Sequence, residues 1–399
     1  MLPKLHSITA VLLACMFTSG CSNENLKEAG SKQSDILAIS GPLESRKDFE
    51  EVFLNTYAQP FLGGPYYDLG RAVDVVITEG KTYVAVNSPQ PSVHIYENGR
   101  YVKSYVSDSQ GPEGVIQKIR ALSVNQDGSL DVLDRDGLSI VQIGADFKVK
   151  RKINTGLFGI DFIKDGDHFL VYTGTQKNPN IGRLCRVNID GELISEYLPI
   201  EDNRLYLNFL TKNHLYRTST GKIRFQQKYY PNIYEIDGDA LSIPYVLDFG
   251  SKEIPGEYFD RPHQDVREFI MPILQSDYSH GAGNFMESPD RIIFVYLQGS
   301  EKVLAIVDKR DEYASKQLVK RLHYNKMLGG TEITDHFEAG PLGVTEDGFF
   351  YWRILTPIVE EEQVRNIVQQ PALQLGEEEQ EKMLAQWDTE FRFMLIFGK

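Results

Sequence analysis

The sequence predicts an all-β fold, a six-bladed β-propeller with short helical insertions near 257–276 and 357–388. Three observations carry this expectation: short alternating strands, Gly- or Asn-containing turns between them, and a four-strand unit that returns six times. Composition agrees. The 21 Tyr and 21 Phe suit strands, and 41% hydrophobic and 11% aromatic content can fill a sizeable core.

The first unit starts at Ala72 to Thr78, with Val73, Val75 and Ile77 on one face. Glu79-Gly80 turns the chain, Thr82 to Val86 returns, Ser92 to Tyr96 follows, and Asn98-Gly99 leads into Tyr101 to Val106. Such turns between alternating runs are hairpin signals, and four antiparallel strands in a row make one blade. A second unit spans Arg120 to Ile153, with turns at Asp127-Gly128 and Asp136-Gly137. The third, Gly159 to Leu198, turns at Asp165-Gly166 and Asp190-Gly191. The fourth, Leu205 to Gly250, uses Thr220-Gly221 and Asp237-Gly238. The fifth, Asn284 to Leu322, carries Ser288-Pro289-Asp290 at the turn, and the sixth starts at Leu342 with Asp347-Gly348. Units of this kind bury their faces only by stacking, and a closed ring leaves few exposed edges. An antiparallel sandwich is the alternative, and six such units are too many for it.

Two stretches break the rhythm. Glu257 to Ser276 places Val266, Phe269 and Ile270 at helical spacing and ends near Met271-Pro272. Between Pro357 and Trp387, Val364, Ile367 and Val368, then Met383 and Leu384, mark two short amphipathic helices. Glu390 to Phe397 reads as a last strand that pairs within the final blade, or beside an N-terminal strand, and latches the ring.

The N-terminus gives an address. Lys4, the apolar run Ile8 to Phe17, and Thr18-Ser19-Gly20 before Cys21 have the form of a secretory signal. The apolar run is about half the ~20 residues a membrane-spanning helix needs. A cysteine after small residues looks like a lipobox, so residues 1–20 are expected to be a lipoprotein signal peptide and Cys21 the lipidated N-terminus. Cys15 is the rival site, with a shorter apolar run before it. Residues 21–44 are polar and read as a flexible tether, and 45–399 as the propeller. Cys185 then has no partner and reads as a buried structural thiol, so the core must be stable without disulfides.

A net charge of −14 argues against nucleic acid, whose phosphates need clustered Lys and Arg. It also argues against electrostatic adhesion to anionic lipid, leaving the acyl anchor as the membrane contact. No H-E-x-x-H pair, G-x-S-x-G elbow or phosphate-binding glycine loop is present, and Gly281-Ala282-Gly283 lacks a strand-to-helix context. His263, His280, His323 and His336 are scattered. Asp134-Arg135-Asp136-Gly137 is better explained as a hairpin turn than as a calcium loop. Tyr66-Tyr67 and Tyr229-Tyr230 are more readily packed between blades than stacked on sugars.

If Val73, Leu122 and Ile160 start innermost strands, Arg71, Asp74, Arg120 and Asp161 lie near one channel mouth, with Asp108 to Glu113 overhanging it. These groups are candidate ligand-binding residues, and pairing with one another over a solvated hole is the favoured structural alternative. Ca²⁺, which takes six to eight oxygens, is the cation such a mouth would suit; no cofactor is otherwise expected.

The repeat unit resembles the NHL repeat. Leu43 to Lys399 as a whole is similar to six-bladed β-propeller lipoproteins of unassigned function from Gram-negative bacteria. The likeness rests on Gly111-Pro112-Glu113-Gly114, on Pro231-Asn232-Ile233-Tyr234-Glu235-Ile236 with Tyr245-Val246-Leu247-Asp248-Phe249-Gly250, and on the lipobox with its polar tether. The acidic helical segment before the last strand departs from it.

The reading expected from all this is a monomeric outer-membrane lipoprotein, periplasmic or surface-exposed. It would act as a non-catalytic binding or scaffold propeller for a protein or glycan. A Ca-dependent enzyme acting on a glycan or lactone is the alternative, and a partner of an outer-membrane transporter is a third.

Overall fold

The computed structural model describes residues 34–61, 63–64, 72–107, 116–174, 182–200, 214–325, 329–333, 340–354, 361–390 and 394–399. They form six antiparallel blades around one axis. Blade one is Asp74–Thr78, Lys81–Val86, Ser92–Glu97 and Arg100–Val106, and blade two is Ile119–Val124, Leu130–Asp134, Ser139–Ile143 and Val149–Asn154. Blade three is Asp161–Asp165, His168–Tyr172, Gly182–Asn188 and Leu193–Pro199. Blade four contains Leu215–Arg217, Ile223–Gln226, Asn232–Asp237 and Ala240–Asp248, and blade five Ser279–Glu287, Arg291–Gln298, Glu301–Asp308 and Lys316–Val319. Blade six is assembled from both chain ends, in the order Gly343–Val344, Phe350–Ile354, Met394–Gly398, Tyr57–Pro60.

The expected turns form. Glu79 and Gly80 have φ of 50° and 70°, and Asn98 and Gly99 of 50° and 76°, the left-handed pairs of two-residue hairpins. At Gly99 a side chain is also excluded by contact, because a Cβ would overlap the Pro60 carbonyl oxygen of blade six. The core is a ring of layers between blades, as repeated units that bury their faces by stacking require. Ile95, Leu122 and Val141 fill the layer between blades one and two, and Leu133, Phe169 and Val187 the next. Leu170, Phe225 and Ile236 join blades three and four, while Val84, Tyr96, Tyr351 and Leu395 join six to one. Cys185 sits in the layer between blades two and three, and burial pushes its thiol up to about 12, so it is structural.

Four sequence expectations need correction. The tether expected over 21–44 is structured from Asp35, because Asp35–Ala38 pairs in parallel with Ala240–Asp248 as a fifth strand of blade four. Leu43–Glu44 does the same on blade five, and Lys47–Asp48 pairs with Leu322–Tyr324. The segment then forms α1 (Phe49–Val52) and becomes the outer strand of blade six, strapping three blades in sequence. Buried Leu37, Phe49 and Phe53 hold it; Phe49 and Phe53 lie 5.1 and 5.0 Å from the Trp352 ring.

Blade five starts at Ser279, because the 281–283 glycine segment is part of its innermost strand, which shifts register there. The helical stretch 257–276 is two helices, α2 (Gly256–Asp260) and α3 (Val266–Leu274). Pro272 lies inside α3 and does not end it, since Phe269 and Ile273 are fully buried beneath it and that burial outweighs one lost backbone bond. Finally, Glu390 belongs to a helix, and the last strand begins at Met394.

That helix is the second of the expected pair, α4 (Glu361–Val368) and α5 (Glu377–Glu390). Val364 and Val368 pack against Met383, and Arg100 of blade one holds Glu379 at 2.8 Å. Among the described residues no helix is long and apolar enough to cross a membrane. Residues 1–20 and Cys21 lie outside the described residues.

Candidate functional site

The first strand of each blade lines the central channel, and all six run in one direction because each blade repeats the same meander. Their ends therefore differ in character. Where the strands begin, polar side chains lock blade to blade. Asp74 accepts the Leu122 N–H of blade two on Oδ2 at 2.7 Å and the Val75 N–H on Oδ1 at 2.9 Å. Asp161 does the same for blade four, accepting the His214 and Leu215 N–H groups on Oδ2 at 2.7 and 2.8 Å and the Phe162 N–H on Oδ1. Arg120 donates from Nε to the Ile160 carbonyl at 2.8 Å. Blade six closes on blade one through Arg353 to Ala72 O and Tyr351 to Val75 O, both 3.1 Å.

Burial dominates the electrostatics here. Three N–H donors and the Arg120 charge favour ionised Asp161, yet full desolvation, with the nearby Asp74 charge adding to it, raises its carboxyl to about 7. Burial lowers the Arg120 guanidinium, and the Asp161 and Asp74 charges oppose that shift. The three groups thus form one electrostatic unit at the channel floor.

From the strand starts to the strand ends the channel holds a cavity of about 700 Å³. Its walls are Val76, Val124, Ile163 and Val344, with Asp74 and Asp161 at the deep end. The mouth is polar: Asn125 and Gln126 of blade two, Lys164 of blade three, Thr218 and Ser219 of blade four, Thr345 and Glu346 of blade six. Rim groups brace one another. Lys164 lies 3.4 Å from the buried Asp131 carboxylate, which also accepts Asn125 Nδ2 at 2.8 Å. Arg217 donates to the Lys164 and Gly221 carbonyls, and Thr78 to Glu346 at 3.2 Å.

Of the candidate residues read from sequence, the structure brings Asp74, Arg120 and Asp161 together, with Asp74 and Asp161 lining the cavity. Arg71, Asp108 and Glu113 lie outside the described residues. The mouth residues lie at the opposite ends of the strands from the candidates read in sequence. A signal for them exists: Asn125-Gln126, Thr218-Ser219 and Thr345-Glu346 each open the four-residue turn that Gly128, Gly221 or Gly348 closes. A polar pair repeated at that position is what a ring of mouth residues requires.

Chemically this site is equipped to hold a ligand. Hydroxyl, amide and charged groups surround an apolar throat, the usual composition of a recognition pocket. Among the described residues no group of three or more His, Cys, Asp or Glu side chains is placed to hold a metal ion.

Comparison with known proteins agrees with this architecture. A putative exported protein from Bacteroides fragilis NCTC 9343 superposes with a TM-score of 0.66 at 11% identity, over 91% of this chain and 99% of that one. A member of the DUF4221 family from Bacteroides vulgatus ATCC 8482 superposes at 0.50 and 11% identity, over 87% and 96%. At these identities the likeness is one of fold. No curated protein matches the chain in sequence. The model of the 6-bladed beta-propeller family DUF5128 matches residues 68–338, and the chain belongs to that family, whose function is unassigned.

Proposed function

We propose that this protein is a non-catalytic binding propeller, held at the cell envelope by lipid on Cys21, that takes a peptide or glycan at the strand-end mouth of its channel. The carrying observation is the contrast between the two ends of the innermost strands. At their beginnings the carboxylates Asp74 and Asp161 are engaged by backbone donors of the neighbouring blade, a structural use. At their ends, polar side chains from four blades converge on an open 700 Å³ cavity. An exported structural neighbour and the lipobox-like Thr18-Ser19-Gly20-Cys21 support an envelope address.

Two experiments test the reading. Thermal shift of the protein against glycan and peptide panels should show a rise in Tm that Ser219→Trp, placed to plug the mouth, abolishes. A ligand-induced rise that survives the plug moves the site elsewhere, and no response to any ligand removes the binding role. A rise produced by Ca²⁺ and reversed by EDTA would favour the enzyme reading instead. Metabolic labelling with palmitate should mark the protein, and Cys21→Ser should lose the label.

A further inference from the structure

Beside the channel mouth lies a second cavity of about 360 Å³, between blade six, blade one and the 3₁₀ turn Pro371–Leu373 that links α4 to α5. The two cavities share Ile77, Thr345 and Glu346 in their linings, so they lie side by side with these residues between them. The second cavity's volume sits at the lower end of the ~300–1,000 Å³ usual for ligand pockets.

This side groove has a distinct chemistry. Its charged lining residues are Glu79, Glu346 and Asp347, all exposed, with no Lys, Arg or His among them. Among the described residues no salt bridge engages these carboxylates; Lys399 Nζ donates to the Asp347 main-chain carbonyl at 2.6 Å, and the neighbouring Arg100 is paired with Glu379. Burial raises the Tyr57 hydroxyl above its ordinary value, and the Asp347 charge adds to that shift. Half-buried Ile77 and Leu373 form an apolar wall.

Resting on the channel-mouth reading above, we infer that this side groove receives a lysine or arginine side chain of an extended peptide whose neighbouring residues enter the channel. A long basic side chain has the two properties the groove asks for. Its methylene stem covers apolar surface while its cationic end stays among carboxylates and water. A sugar would gain less here, because the stacking that adds to its hydrogen bonds calls for an open aromatic face. The Tyr57 ring is stacked on Phe397 at 4.4 Å and 1°, and Phe349 packs against it at 5.7 Å, so these rings are spent on each other.

The test selects phage-displayed random hexapeptides on the whole protein. Selected peptides should be enriched in Lys or Arg at one position by roughly fivefold, the ratio that about 1 kcal/mol of charge pairing gives. Glu79→Gln with Asp347→Asn, residues that line the side groove and not the channel, should still select peptides but without that enrichment. Ser219→Trp should select none. A control with Glu257→Gln and Asp277→Asn, exposed acids elsewhere in the chain, should keep it. Enrichment that survives the groove variant, or is lost equally in the control, overturns the inference and leaves the channel reading standing. So do selected peptides with no basic position, and glycan binding blocked by Ser219→Trp in the absence of any peptide. If neither peptides nor glycans bind, both readings fall.

Discussion

The side-chain amide of Gln370 brackets the backbone of Ala58, its Oε1 accepting the Ala58 N–H at 2.9 Å and its Nε2 donating to the Ala58 carbonyl at 3.1 Å. Ala58 lies on the outermost strand of blade six, where backbone groups that point away from the sheet have no further strand to meet. Gln370 stands in for that strand at one residue, and its Nε2 also reaches the Ile367 carbonyl of α4 at 2.7 Å. Gln370→Ala would leave buried backbone groups unsatisfied and should lower stability by about 1–3 kcal/mol. Gln369→Ala, at an exposed neighbour, should change it by less than about 0.5 kcal/mol. Urea midpoints at constant m decide. Equal effects of the two substitutions would mean the bracket adds nothing.

Closure of the ring depends on the last strand. Met394–Gly398 pairs with Phe350–Ile354 on one side and Tyr57–Pro60 on the other, and Leu395, Ile396 and Phe397 are at most 2% exposed. Truncation after Thr389 removes a middle strand and cuts the N-terminal strap from the blade it completes. The expected result is loss of the cooperative thermal transition by circular dichroism. A melting curve matching the full chain would show that the ring closes without this strand.

Much of the fold was legible because its signals are local. Period-two alternation and the Asp-Gly and Asn-Gly turns place most strands, since a left-handed turn residue is a property of two adjacent positions. Asp35–Ala38 escaped for the opposite reason. It has only Ile36 and Leu37 as large apolar residues, and what makes it a strand is the edge of blade four, some two hundred residues away. The site divides the same way. Asp74 and Asp161 stand out as acids among apolar strand starts, but their partners are backbone N–H groups 48 and 53 residues onward, which no spacing reveals. Gln370 carries no local mark at all.

A buried ion network joins blades four and five. Glu287, 6% exposed, accepts Arg224 Nε at 2.8 Å, the Tyr245 hydroxyl at 2.8 Å and Lys309 Nζ at 2.7 Å. Burial alone would raise its carboxyl, yet the Arg224 and Lys309 partners win and hold it below the usual value. Glu287→Ala leaves Arg224, 3% exposed, with Glu235 as its remaining carboxylate partner and should cost about 3–5 kcal/mol. Because the folded-state value is depressed, the contribution is present above the unfolded value of 4.5 and fades as pH falls through the folded one. The variant's stability should therefore fall less steeply than the parent's below pH 4.5. A parallel acid arm would contradict the assignment.

Opposing titrations should shape stability between pH 4 and 7. His94 is fully buried between the Ser92 and Ser104 hydroxyls, and His280 is buried against the Gly299 carbonyl; desolvation lowers both imidazoles from 6.5 to about 4. The unfolded chain takes up these two protons first, so each histidine removes stability as pH drops from 6.5 toward 4. Asp161 acts in reverse. With Asp74 and Arg120 as its charged neighbours, its folded-state carboxyl keeps a proton up to about 7, whereas the unfolded one loses it near 3.8. It therefore adds stability as pH drops through that window. Asp161→Asn should make the loss of stability on acidification steeper than in the parent by about 1.4 kcal/mol per pH unit, one proton's worth, and His94→Gln should make it shallower by the same amount. Urea unfolding from pH 4.5 to 7 reads both slopes, whatever the variants do to absolute stability. If Asp161→Asn leaves the slope unchanged, Asp161 is ionised throughout this range, and the backbone donors and Arg120 outweigh its burial.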